Sequence, residues 1–251
     1  MREIINSGRL GRVIQINTWN YKGWLEQARL ASELETEQGG GVVYRQGPHQ
    51  IDIVRCIGGG MVQSVRALTG SWNPAFATEG NYAAFLRFEN ETPATLVFNG
   101  YGYFDMTELT WDIGEGGRRV ANRYAKKERS AGAIDAEARY SMPLRAEARG
   151  EHGERKQPIY GLTLVSCTEG DIRQSPDGLY VYTKEGREEL GCPPFLDRGA
   201  ELLKLRAALT ENQRVFTDGR WGKATLEVVQ AILQSSRAGG EMFLRHQVPC
   251  C

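Results

Sequence analysis

Val13, Ile14 and Ile16 open a β-branched, roughly alternating run over residues 12–19, and the pattern predicts a strand. Residues 2–7 before it, followed by Gly8, read as the last turns of a helix with a glycine stop, so the chain is expected to begin in mid-architecture. Residues 20–38, rich in charge and aromatics, read as a loop. Over residues 46–57 the apolar positions Ile51, Val54 and Ile57, with Pro48 near the start and Gly58 to Gly60 after the end, predict a helix of about three turns whose opening faces Gly39-Gly40-Gly41. Strand character then recurs over residues 62–69, 82–88, 92–100 and 107–113, with Asn90, Pro93 and Gly100 as turn formers.

Strands joined by short links, with no helix between them, predict an antiparallel meander, because parallel neighbours need a crossover of about a dozen or more residues. The expected class is α+β: one large open mixed sheet, mostly antiparallel, with helices packed on one face. Residues 114–157 break the pattern. They are dense in Arg, Lys, Glu, Ala and Gly and read as a charged, solvated insertion, partly helical or mobile. Strands are expected again over residues 159–167, 171–174 and 179–183, with Pro176-Asp177-Gly178 as a hairpin turn. Helical spacing of Leu202, Leu205 and Leu209, then of Leu226, Val229 and Leu233, predicts two closing helices over residues 198–209 and 223–236.

The chain has 251 residues, enough for a sizeable core, and is read as a single domain spanning 1–251. Its 31 basic and 31 acidic residues cancel, which argues against a dedicated nucleic-acid binder. No apolar run approaches the roughly 20 residues that cross a bilayer, and the first residues lack a secretory pattern, so no membrane partner and a cytoplasmic location are expected. Five cysteines, Cys56, Cys167, Cys192, Cys250 and Cys251, show no paired spacing and are read as reduced thiols, with no metal site; the last two are expected to be disordered.

There is no GxGxxG: Gly100-Tyr101-Gly102-Tyr103-Phe104-Asp105 lacks the third glycine and does not open a helix. Walker, HExxH and GxSxG motifs are absent too. His49 is the histidine whose setting invites chemistry, since a glycine-opened helix start can present the ring to a cleft where backbone N–H groups favour negative charge. Set against that, a lone histidine at a helix start is more often structural. Arg45, four residues earlier, would suit a carboxylate, or else make a surface salt bridge. Tyr21 and Trp24, with Trp19, are candidate walls for a flat ring, or core. Trp221 reads as a structural staple at a helix entry, and His152 and His246 as exposed bystanders.

The order of strand, Gly39-Gly40-Gly41 turn, helix bearing Gly47-x-His49-x-x-Asp52, open sheet and final helix entered through Asp218-Gly219 resembles the C-terminal domain of the glucose-fructose oxidoreductase and inositol dehydrogenase family (Gfo/Idh/MocA), with its dihydrodipicolinate-reductase-like fold. The resemblance implies NAD or NADP as cofactor, held by a Rossmann domain that, with a Glu-Lys-Pro lysine, would lie upstream of Met1. It further implies that these residues form a substrate-binding and oligomerisation domain, inactive alone, with no cofactor bound to it and its cofactor-binding residues unknown. Sugar and inositol dehydrogenases of the family usually carry aspartate where Arg45 stands. The wording from Gly39 to Asp52, together with Asn17-Thr18-Trp19-Asn20-Tyr21, looks most like the phthalate 4,5-cis-dihydrodiol dehydrogenases, whose substrate is an aromatic-derived carboxylated diol. On that resemblance His49 relays a hydroxyl proton, Arg45 holds a carboxylate, Tyr21 and Trp24 wall the pocket, and the open sheet face pairs copies into a dimer or tetramer. The alternatives are a sugar or inositol dehydrogenase domain and a stand-alone, non-catalytic binding protein.

Overall fold

The computed structural model describes residues 1–120, 133–134, 151–152, 154–193, 199–215 and 217–250. The strands, in chain order, are β1 (Val13–Tyr21), β2 (Arg29–Leu30), β3 (Val62–Gly70), β4 (Asn81–Phe88), β5 (Pro93–Asn99), β6 (Arg119–Val120), β7 (Ala133–Ile134) and β8 (Glu151–His152). They continue with β9 (Leu162–Cys167), β10 (Gly170–Gln174), β11 (Gly178–Thr183), β12 (Gly186–Gly191) and β13 (Met242–Phe243). The helices are α1 (Arg2–Asn6), α2 (Gly41–Arg45), α3 (Gly47–Gly58), α4 (Gly199–Thr210) and α5 (Gly219–Ala238).

Nine strands make one sheet in the order β12-β11-β10-β9-β1-β5-β4-β3-β13. All neighbours run antiparallel except β1 and β5, which are parallel with Ile16 opposite Ala94 and Tyr21 opposite Asn99. A parallel pair requires a long return, and residues 22–92 provide it: the chain passes through α2 and α3 before β3 and β4 lead back to the middle of the sheet. The expected α+β architecture, one large mixed and mostly antiparallel sheet, is therefore what forms.

Alternation explains which face is covered. In β4 Tyr82, Ala84, Leu86 and Phe88 are buried while Ala83, Phe85 and Arg87 are exposed, and β5 buries Ala94, Leu96 and Phe98. Helix α5 meets this face with Trp221, Ala224, Thr225, Val228, Val229 and Ile232, a stripe at three- and four-residue spacing. It runs longer than the expected 223–236. Asp218 caps it by accepting the N–H groups of Arg220 and Trp221, both at 2.9 Å, and Gly239, at φ +63°, stops it.

Arg55 joins α3, α5 and the C-terminal segment. Its guanidinium is fully buried; Nη1 donates to Trp221 O at 3.1 Å and Thr225 Oγ1 at 2.7 Å, and Nε to Gln247 Oε1 at 3.0 Å. It also lies 3.9 Å from the Trp221 ring centroid, so Trp221 has the structural role expected of it. Burial pulls the Arg55 pKa down to about 10, against the opposing pull of Asp52, and the group stays charged at neutral pH.

Several expectations change. Residues 107–113 are not a strand: Asp105 accepts Thr107 N–H at 3.0 Å and starts a 3-10 turn over Met106–Thr110, after which Trp111 and Asp112 have φ of +56° and +66°, incompatible with an extended run. Cys250 is not a loose end, since its N–H donates to Gly59 O at 2.8 Å and its Sγ lies 3.6 Å from that of Cys56; Cys251 lies outside the described residues. Strands β12 and β13 were not expected, and α4, whose predicted first residue Arg198 is undescribed, buries none of its residues. Most of the 114–157 insertion also lies outside the described residues. Among the described residues no helix is long and apolar enough to cross a membrane.

Arg55→Met keeps the aliphatic stem but orphans its buried acceptors, so it is expected to lower unfolding stability by roughly 2–4 kcal/mol in a urea titration. An unchanged midpoint would show that these bonds contribute nothing net.

Candidate active site

The Gly39-Gly40-Gly41 turn is built around a carboxylate of the protein itself. Gly41 has φ +80°, and a Cβ there would stand 2.0 Å from Glu79 Oε1, so glycine is what admits that side chain. Glu79, 5 % exposed, accepts Val43 N–H through Oε1 at 3.0 Å and the hydroxyls of Thr36 and Thr78 through Oε2. The positive end of α2 is thereby satisfied internally. A dinucleotide pyrophosphate brought to this turn would meet a buried negative charge, and among the described residues no other glycine-rich loop opens a helix in its place. These residues do not fit NAD or NADP.

The chain breaks at Gln46 between α2 and α3, and Pro48 sits in the first turn of α3, where its missing N–H costs nothing. Gln50, fully buried, then registers α3 on the sheet: Nε2 donates to Thr18 Oγ1 and Val97 O, each at 3.2 Å, and Oε1 accepts Tyr82 O–H at 2.5 Å. Its neighbour His49 is left projecting to the solvent side.

There His49 meets Tyr160, ring centroids 5.3 Å apart and tilted by 52°. The Tyr160 hydroxyl donates to Gln46, whose main-chain oxygen is 2.9 Å and side-chain oxygen 3.1 Å away. Burial raises the Tyr160 phenol well above its ordinary pKa, helped by Tyr82 and Glu115 and opposed by Asn20. Beside this pair opens a cleft of about 260 Å³, lined by His49, Gln46, Tyr160 and Pro158 together with Lys22, Trp24, Gln27, Arg29 and Glu115. Lys22 Nζ pairs with the Glu115 carboxylate and stands 5.1 Å from the Tyr160 ring centroid. Arg29, buried, lies 4.1 Å from the Trp24 ring centroid and donates to Trp24 O at 3.0 Å.

Of the residues singled out from sequence, His49 and Trp24 share this cleft. Arg45 is exposed at the end of α2, and Tyr21 packs edge-to-face on Phe104 at 5.8 Å; neither lines it. Asp52 of the Gly-x-His-x-x-Asp string accepts the indole N–H of Trp221 and the Thr225 hydroxyl, so it ties α3 to α5. Lys22, Arg29, Gln46, Glu115 and Tyr160 were not anticipated. A lysine next to Tyr21 and Trp24 was a local signal for Lys22; nothing local links Tyr160 to a helix more than a hundred positions earlier. A larger hollow of about 790 Å³ lies by the β11–β12 hairpin, but it holds no histidine and Arg9 there pairs with Glu188, so it offers less chemistry than the smaller cleft.

Residues 1–120 match the family described as GFO/IDH/MocA C-terminal domain, which bears out the resemblance seen in the sequence. Over 247 residues, 94 % of the chain, it is 30 % identical to 1-carboxy-3-chloro-3,4-dihydroxycyclohexa-1,5-diene dehydrogenase of Comamonas testosteroni, and it spans 62 % of that protein's length. Among solved structures it is similar to a presumptive dehydrogenase from Bordetella bronchiseptica RB50, with 36 % identity and a TM-score of 0.82, covering 97 % of this chain and 65 % of the other. An oxidoreductase from Agrobacterium radiobacter, solved with NAD+, L-tartaric acid and magnesium, shares the fold at 16 % identity and a TM-score of 0.60, covering 96 % of this chain and 60 % of its own.

Glu79→Ala removes the acceptor for Val43 N–H and the two threonine hydroxyls, and is expected to cost about 1–3 kcal/mol of stability. Thermal unfolding checks it: an unchanged transition would mean that water replaces the carboxylate at the turn without loss.

Proposed function

We propose, on the premise that residues 1–120 belong to the Gfo/Idh/MocA C-terminal domain family, that this chain is the substrate-binding part of an NAD(P)-dependent oxidoreductase acting on a cis-dihydrodiol whose ring bears a carboxylate. The observation that carries the reading is the contact of His49 with Tyr160 in a cleft that Trp24 also lines. A flat or nearly flat ring fits between aromatic walls, and an imidazole beside them can accept a hydroxyl proton as the alcohol is oxidised. Tyr160, like any phenol, is protonated at neutral pH, burial shifts its pKa further up, and its bond to Gln46 holds it as a fixed wall and O–H group beside His49. The name of the Comamonas relative, a carboxylated and dihydroxylated cyclohexadiene dehydrogenase, supports the same substrate class.

The nicotinamide cofactor, which accepts hydride when bound, is assigned in this reading to a nucleotide-binding unit, because the described residues do not fit a dinucleotide. What this chain contributes is orientation of the ring and removal of the proton. The open sheet face contributes assembly. Arg66, Leu68, Ala83 and Phe85 share the side of the sheet away from α3 and α5, with Leu68 69 % and Phe85 48 % exposed, a surface that a second copy would cover.

His49→Ala, in the enzyme assembled with its nucleotide-binding unit, is expected to lower turnover about 10²-fold or more, read by nicotinamide absorbance with a carboxylated cis-dihydrodiol; turnover near the parent's would sink the assignment. Gel filtration at micromolar concentration is expected to give a dimer or tetramer, and a monomer would refute the role given to the sheet face.

A further inference from the structure

We infer that Lys22, and not Arg45, is the residue that selects a ring carboxylate in this cleft, and that Glu115 is the internal stand-in which the substrate displaces. The inference rests on the reading of the cleft as the substrate site and adds the residue that sets its charge preference.

The geometry is on three sides of one ammonium group. Lys22 Nζ pairs with Glu115, faces the Tyr160 ring at 5.1 Å, and lines the same cleft as His49 and Trp24. Its side chain is 16 % exposed, against 29 % for that of Glu115, so the pair lies at the cleft surface, where an incoming anion can reach it, with the Tyr160 and Phe98 rings beside the ammonium. Lys22 itself is placed by the sheet: its N–H donates to Asn99 O at 2.9 Å, continuing the β1–β5 ladder by one residue.

The charged groups point the same way. Among the described residues that line the cleft, Lys22 and Arg29 are the basic side chains beside His49 and Glu115 is the acidic one. A neutral diol forms no ion pair with Lys22, whereas a ring carboxylate can take the place of the Glu115 carboxylate on it. Ammonium–carboxylate hydrogen bonds are about twice as strong as neutral ones, and the aromatic walls lower the local polarity in which they act. When the substrate carboxylate replaces Glu115 on Lys22, the Glu115 side chain can turn to solvent from a position already partly exposed. Arg45 lies outside this arrangement, exposed at the end of α2.

The test uses the 251-residue chain labelled with ¹⁵N, titrated by NMR with benzoate, with its uncharged counterpart benzamide, and with acetate, which has the charge and no ring. Benzoate is expected to shift the resonances of His49 and Lys22, with benzamide and acetate each binding more weakly. Lys22→Met is expected to weaken benzoate roughly tenfold or more, Lys22→Arg to retain most of the affinity, and Glu115→Gln, which removes the competing carboxylate, to tighten binding. The Glu115→Gln gain is the readout that a merely damaged fold would not produce.

Benzoate affinity unchanged in Lys22→Met, equal affinity for benzamide or acetate, or loss in Arg45→Ala in place of Lys22→Met would each overturn the inference. Failure of benzoate to bind the parent chain would overturn it too. In that case cis-1,2-cyclohexanediol separates the two levels: shifts at His49 leave the cleft as a diol site with a wrong account of Lys22, and no shift removes the proposed function along with it.

Discussion

The side-chain amide of Gln50 is the interaction on which the position of the site depends. It reaches three strands at once, donating to Thr18 of β1 and Val97 of β5 and accepting from Tyr82 of β4, in a place without access to water. Each of these groups, left unmatched, would cost about 1–3 kcal/mol, so α3 has one azimuth and one height on the sheet at which the cost is avoided. That setting determines where the preceding residue points. His49 projects toward Tyr160 because Gln50 faces inward, and the helix cannot roll to bury the imidazole without breaking three buried bonds.

The same constraint explains the mixed sheet. Thr18 and Val97 can both serve one amide because β1 and β5 are parallel neighbours, and that pairing requires the long return through α2 and α3. The helix in the return between β1 and β5 is thus fastened to both of these strands. Arg55 and Asp52 fasten its other side to α5, so α3 is held from the sheet, from α5 and from the C-terminal segment. A side chain on an element held this way has little freedom left to lose when a ligand binds beside it.

Local pattern carried the strands, α3 and α5, because alternation and helical spacing are written residue by residue. It did not carry the 3-10 turn at Met106–Thr110, where one aspartate cap outweighed β-leaning side chains, nor β12, which buries nothing and so has no alternation to read. Of the site, His49 was visible from the glycine-opened helix. Its partner Tyr160 looked like an early residue of an ordinary strand, and the contact exists only once β9 is laid beside β1. The glycine turn misled in an instructive way: its open backbone did signal a nearby negative charge, but the charge is Glu79, donated by the chain just before β4 and invisible to any spacing rule.

Glu79 and Glu115 show how burial separates structure from reactivity for the same functional group. Glu79 is closed in and takes a backbone N–H and two hydroxyls; replacing it with a ligand would require moving a turn that tolerates no Cβ at Gly41. Glu115 faces a lysine at the edge of a cleft with part of its side chain in water, so leaving costs it little desolvation that solvent does not return. A closed-in anion secures the start of α2, and a partly exposed one pairs with Lys22 in the cleft that His49 lines. A lysine left without any carboxylate would attract any anion; one already paired with a carboxylate of the chain yields only to a ligand that adds further contacts to its charge.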